Sequence, residues 1–219
     1  MPSIELNSQI YEYQLNYKKI KRIYIRFKDG LFLVSAPLKT SVKDIELVFK
    51  DNAKKLQNLV AKSKVYKPTL EIGSNVSLLG KNYSLSAGVK PLIIDNIVYL
   101  QESRKIQDFK LLTTNLLYDY AVGKLKEYHS KIYNNQNYPS LIIKQVSTKL
   151  GHYHKNKHQI MLSLNLVYNK VELVDYVIVH ELVHIQEFNH QAGFYQLLGN
   201  VLPNYRKLEK QLKTLGVVE

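Results

Sequence analysis

The segment His180-Glu181-Leu182-Val183-His184, followed six residues later by His190, constrains this chain more than any other feature. On an α-helix, positions i and i+4 lie one above the other on the same face. His180 and His184 can therefore offer two imidazoles to one zinc ion, with Glu181 projecting from the neighbouring turn to act on a water molecule there. Seven histidines and eleven glutamates in 219 residues would produce this five-residue pattern by chance roughly 0.01 times. The flanking Val177, Ile178, Val179, Leu182 and Val183 are apolar enough for the helix to be buried.

Two imidazoles do not complete a catalytic zinc site, which takes three protein ligands and leaves a position open for water. His190 is the candidate third ligand. On a continued helix its Cα would lie roughly 9 Å beyond that of His184, so the helix must end and the chain double back. Asn189 suits such a reversal, because asparagine tolerates the left-handed conformation at a helix end. The competing third ligand is Glu209, which sits between Lys207 and Lys210 in a region that reads as surface. Glu187 is a candidate acceptor for the ring N–H of a ligand.

The chain contains no cysteine, which excludes disulfides and thiolate ligands and suits a reducing, cytoplasmic compartment. A metal must then be held by imidazole or carboxylate. No run approaches eighteen apolar residues, and residues 1–7 lack the basic-then-apolar pattern of a signal peptide, so neither a membrane span nor an export signal is expected. Thirty-one Lys and Arg against eighteen acidic residues give a formal charge of +13. That charge admits nucleic acid as a partner, but no zinc-finger or RNA-binding signature accompanies it. The sequence sets no oligomeric state.

Residues 1–100 read as a β-rich region with one helix, and 101–219 as a separate catalytic domain. Ile20 to Arg26 and Leu31 to Ser35 form a hairpin signal across Asp29-Gly30. Ser41 opens a helical pattern through Ile45, Val48, Phe49, Ala53, Leu56 and Leu59. Leu78 to Tyr83 reads as a tight turn, and Ile93 to Tyr99 as another hairpin. The spacing from Ser103 to His129 predicts a central helix or a bent pair broken at Gly123, and Asn134 to Asn137 a loop. Leu141 to Lys149 and Gln159 to Leu164 read as hairpin arms across 151–158. Asn169 and Glu172 read as a capping box for the histidine helix, and a last helix is expected from about Pro203 through Leu212.

His152, His154 and His158 cluster in Gly151-His152-Tyr153-His154-Lys155-Asn156-Lys157-His158. They read as a polar hairpin loop, as a second metal tract, or as a source of charge stabilisation beside the cleft. For a donor to the developing oxyanion, the candidates are Tyr195, His158 and Tyr205.

The stretch Asp175 to His184, with Asn189-His190, Phe194 and Pro203-Asn204-Tyr205, resembles the YgjP-like metallopeptidase family, minimal zincins loosely related to the SprT-like proteases. Leu164-Asn165 matches the family's strand end. Lys21 to Arg26, Asp29-Gly30 and Ala36-Pro37 resemble its opening hairpin, and Leu79-Gly80-Lys81-Asn82-Tyr83 its glycine–tyrosine turn. The resemblance implies an α+β fold, with a zincin-like domain whose small antiparallel sheet packs on helices behind the β-rich N-terminal region. It also implies a zinc metallopeptidase acting on peptides or proteins, with His180, His184 and His190 as ligands and Glu181 as catalytic residue. The alternative is a nucleic-acid-associated metal-binding protein, or a protease acting on DNA-bound proteins. Where the family carries Trp-Gly-Ser-Cys, this chain has Leu150-Gly151-His152-Tyr153. Only the glycine remains, so the substrate cleft is expected to differ in shape.

Overall fold

The structure is a computed structural model that describes all residues except 1, 7–8, 29, 64–67, 134–135, 147–148 and 215–219, and no side chains at 28, 58–59, 61–63 and 214. The chain divides into two compact units, Met1–Val65 and Tyr66–Glu219. It is α+β, with small sheets packed on helices.

In the first unit, β1 (Ser3–Leu6), β2 (Gln9–Lys18), β3 (Tyr24–Lys28) and β4 (Leu31–Pro37) form a sheet in the order β1-β2-β4-β3. The β3–β4 hairpin forms about the expected turn, with Gly30 at φ 84°, but its first arm is Tyr24–Lys28 and not Ile20 to Arg26; Asp29 lies outside the described residues. Along β4, every second side chain is buried, so one face of the strand is core. Helix α1 (Val42–Asp51) opens on a capping box in which Ser41 and Asp44 accept each other's backbone N–H, both at 3.2 Å. Helix α2 (Ala53–Ser63) continues the chain, and Tyr13, Phe32, Val34, Ile45 and Phe49 pack as the core of this unit.

The second unit begins with β5 (Asn75–Leu78), β6 (Lys81–Ala87), β7 (Leu92–Ile94) and β8 (Ile97–Leu100), ordered β5-β6-β8-β7. Both expected tight turns are present. Leu79 (φ 50°) and Gly80 (φ 78°) join β5 to β6, and Asp95 (φ 51°) turns the β7–β8 hairpin. Helix α3 (Lys105–Ile132) follows as one unbroken helix of 28 residues. Gly123 does not interrupt it, and no atom lies within 4 Å of where its Cβ would be.

Strands β9 (Ser140–Lys144), β10 (Gly151–His154) and β11 (Gln159–Ser163) form the sheet beside the histidine helix, with β11 central. The expected hairpin of 141–149 with 159–164 is corrected here. β9 runs parallel to β11, and the antiparallel hairpin is β10–β11. The sheet is therefore mixed, with β9 on one edge of β11 and β10 on the other.

Helix α4 (Val171–Val183) carries His180 and Glu181. Ten of its thirteen residues are buried, among them every residue from Tyr176 to Val183, as befits a helix enclosed on nearly all sides. It packs against α3, β10, α5 (Ala192–Val201) and α6 (Tyr205–Thr214). The predicted capping box is absent. Lys170 is the N-cap and makes no side-chain cap bond, because the Asn169 side chain donates instead to the Asn165 carbonyl at 3.1 Å. The β5–β6 turn buttresses this end: Leu79 N–H donates to the Val167 carbonyl at 2.6 Å, and a Cβ on Gly80 would lie 3.4 Å from Lys170 Cα. No helix among the described residues is long and apolar enough to cross a membrane.

Candidate metal centre

Helical periodicity alone stacks His180 and His184 on one face of α4 and its C-cap. The chain then reverses without a left-handed residue at Asn189, contrary to expectation. A run of tight backbone bonds does the work: Ile185 N–H to the Leu182 carbonyl, and Gln186 and Glu187 N–H to the Val183 carbonyl, at 3.0–3.1 Å. Gln191 N–H closes a further turn on the Asn189 carbonyl at 2.8 Å, and α5 begins at Ala192.

This reversal returns His190 to the other two imidazoles. One ring nitrogen from each of His180, His184 and His190 lies within 4.8 Å of the others. The three ring centroids form an equilateral triangle with 4.9 Å sides. Nε2 of His180 and Nε2 of His190 are 3.0 Å apart. Phe194, fully buried on α5, touches all three rings, with centroids 4.8, 4.9 and 4.6 Å away. One aromatic ring thus forms the floor under the triad. The group grades from buried His180 through half-buried His184 to exposed His190, so it opens to solvent on the His190 side.

His184 Nδ1 bonds the Glu187 backbone carbonyl at 2.9 Å. A carbonyl only accepts, so Nδ1 carries the proton and Nε2 keeps its lone pair for the centre. Glu187 thus acts through its main chain rather than through the carboxylate expected from sequence. Its carboxylate lies instead over the first turn of α5, where a Cβ on Gly193 would come within 2.9 Å of Oε1, a favourable place for negative charge.

Glu181 is 1% exposed and lies between α4 and the start of β10. A Cβ on Gly151 would sit 2.5 Å from Glu181 Oε1, 2.7 Å from its Cγ and 2.8 Å from Val177 Cγ1. Only glycine allows this approach.

Glu209 is not in the group. Its Oε1 takes Lys213 Nζ at 2.7 Å in an exposed ion pair. His152 and His154 are exposed on the hairpin face opposite Gly151 and Tyr153, with ring centroids 6.2 Å apart. His158, left-handed at φ 43°, bonds the Tyr153 hydroxyl through Nδ1 at 3.0 Å and the Asn137 carbonyl through Nε2 at 2.9 Å. Both its nitrogens are engaged in holding the hairpin. Tyr195 stands 6.5 Å from the His190 ring and stacks on Tyr205, whose hydroxyl accepts from Arg206 Nε at 3.2 Å. The sequence reading missed Phe194 as the floor and Gly151 as the packing partner of Glu181. The signal for Phe194 was its position four residues after His190; for Gly151 there was none short of the strand packing.

Three imidazoles converging beside a buried carboxylate on one helix, in an α+β domain, are the equipment of a metal-dependent hydrolase. The chain belongs to the YgjP-like metallopeptidase family, whose metallopeptidase-domain model matches residues 21–215. It is a peptidase, acting on peptide or protein substrates. Among solved structures it is similar to the metallopeptidase zymogen of Pyrococcus abyssi abylysin. The identity is 21% and the TM-score 0.39, over 42% of this chain and 92% of that one, too distant a likeness to argue from. No curated protein matches the chain.

Proposed function

We propose that the protein is a zinc metallopeptidase in which His180, His184 and His190 hold the ion and Glu181 is the general base. The observation that carries this reading is the triangle of imidazoles with 4.9 Å sides, with Glu181, the residue that follows His180 on the same helix, 1% exposed. Two rings bound tetrahedrally at Zn–N of about 2.0–2.1 Å would have their nitrogens ~3.3 Å apart and their centroids ~5 Å apart. The observed 3.0 Å and 4.9 Å are within a few tenths of an ångström of both. Without cysteine in the chain, imidazole and carboxylate are the ligands left for zinc, and the group that the described residues bring together is all imidazole.

When bound, zinc supplies a Lewis acid that polarises the scissile carbonyl and makes water acidic enough to attack near neutral pH. The protein's own groups do the rest. Glu181 accepts the proton of the attacking water and passes it to the departing amine nitrogen. Gly151 leaves the room in which that carboxylate sits, and the Glu187 carbonyl holds the His184 ring in the tautomer that presents Nε2.

Elemental analysis of protein purified without chelator is expected to find about one zinc per chain. Glu181→Gln is expected to keep that zinc and to lower hydrolysis of a responsive peptide about 10²- to 10⁴-fold. A Glu181→Gln variant as active as wild type would overturn the mechanism, and protein that takes up no zinc would overturn the site.

A further inference from the structure

The residues that leave β10 are Lys155-Asn156-Lys157-His158, with no acid among them. Lys155 Nζ lies over the Phe188 ring, 4.2 Å from its centroid. Phe188 belongs to the reversal between His184 and His190 and is 48% exposed. It directly follows Glu187, whose carbonyl orients His184. The contact therefore ties the end of the hairpin to the turn that carries the imidazoles.

An aromatic face holds a cation in place without neutralising it, which a carboxylate would do. Lys105, Lys124, Lys131 and Lys213 are each within 2.9 Å of a glutamate oxygen. Lys155 and Lys157 have no such partner among the described residues, and His154 beside them is exposed. The end of β10 thus presents fixed, uncompensated positive charge. Its start is Gly151, packed against Glu181. Four residue steps separate Gly151 from Lys155, about 13 Å at ~3.3 Å per residue.

We infer that Lys155, positioned by Phe188, selects substrates carrying an acidic side chain two to four residues from the scissile bond, on one side of it only. This rests on the peptidase reading above. A carboxylate there meets the ammonium outside the reacting centre, so the charge affects which peptide is held and leaves the proton transfers of Glu181 untouched. Acidic peptide is favoured over nucleic acid because a single held ammonium four residues from the site suits one carboxylate, while a phosphate chain needs a track of cations and stacking rings.

The test profiles cleavage sites in a proteome-derived peptide library with zinc-loaded wild type, Lys155→Ala, Lys155→Glu, Phe188→Leu and Lys126→Glu. Lys126→Glu, on exposed α3 surface, changes net charge as Lys155→Glu does. Wild type is expected to show Asp and Glu enriched about 3- to 5-fold at one position two to four residues from the cut, the scale of an exposed ion pair. The enrichment should vanish in Lys155→Ala, turn to Lys and Arg in Lys155→Glu, weaken in Phe188→Leu and persist in Lys126→Glu. An identical profile in wild type and Lys155→Glu would overturn the inference. Binding separates this from failure of the peptidase reading. By fluorescence anisotropy, zinc-loaded Glu181→Gln should hold a peptide with one glutamate about 3- to 5-fold tighter than its neutral counterpart at low salt. That margin should be lost when Lys155→Ala is added; equal affinities overturn the inference whether or not any peptide is cut. A single-stranded oligonucleotide whose binding depends on Lys155 more than the peptide's does would also overturn it, in favour of a nucleic-acid surface.

Discussion

Gly151 and Glu181 illustrate how little room the proposed base has. A methyl group at 151 would come within 2.5 Å of the Glu181 carboxylate and 2.8 Å of Val177, closer than non-bonded atoms approach. Gly151→Ala should therefore push the carboxylate aside, cost about 1–3 kcal/mol of stability through overpacking, and reduce hydrolysis at least tenfold while zinc content is unchanged. Thermal melting, metal analysis and kinetics on the same preparation check the three parts, and unchanged kinetics would show that Glu181 does not depend on this packing. At the third ligand, His190 shares the triangle whereas Glu209 bonds Lys213 at 2.7 Å. His190→Ala is expected to weaken zinc binding by orders of magnitude and Glu209→Ala to leave it nearly unchanged, measured by competition with a chromogenic chelator. The reverse result would move the ligand set to an imidazole–carboxylate arrangement.

Helices α3 and α4 are joined by a polar clamp as well as by apolar packing. The Asp175 carboxylate accepts from the Tyr120 hydroxyl at 2.6 Å and from the Tyr128 hydroxyl at 2.9 Å. Burial first, and then the Asp175 hydrogen bond and charge, push both phenols far above their usual range. Both hydroxyls thus stay protonated and donate across the whole working pH range. Asp175 stands five residues before His180 on the same helix, so the clamp sets how α4 lies against α3. Asp175→Ala leaves two half-buried hydroxyls without their acceptor and is expected to cost about 2–3 kcal/mol, against ~1 kcal/mol for Tyr120→Phe or Tyr128→Phe. Urea denaturation measures all three. If Asp175→Ala costs no more than either phenylalanine variant, the carboxylate is not the hub of the clamp.

For the molecule as a whole, His129 near the end of α3 makes stability depend on pH. It is 2% exposed, its ring packs 4.8 Å from those of Tyr133 and Tyr138, and its Nδ1 has no hydrogen-bond partner among the described residues. Burial chiefly, with the neighbouring His158 adding to it and a bond to the Asn137 backbone opposing, lowers its pKa below the ordinary histidine value. The unfolded chain then binds this proton more readily than the folded one. Stability from this residue is intact above about pH 6.5 and is lost as pH falls below that value toward the depressed folded pKa. Melting temperature followed from pH 7.5 to pH 5 should decline less steeply in His129→Gln than in wild type. Equal slopes would show that His129 does not govern the acid limb.

What could be read in the chain beforehand was whatever depends on neighbours a few residues away. His180 and His184 face the same way because a helix repeats every 3.6 residues, and the turns at Leu79-Gly80 and Asp95 follow from local backbone preferences. The Ser41–Asp44 box is local in the same sense. Where local signals competed, tertiary packing decided. Asn169 was drawn into the turn before α4 instead of capping it, and Asn189 stayed out of the left-handed region because backbone bonds to Leu182 and Val183 already turned the chain. The parallel pairing of β9 with β11, the approach of Gly151 to Glu181, the floor supplied by Phe194 and the contact of Lys155 with Phe188 all join residues distant in sequence. No periodicity encodes them, since each exists only once several elements bury their apolar faces together around α4. The sequence alone determined which groups were available for chemistry and set two of the imidazoles on one helix. The fold decided that a third would join them, and what surrounds all three.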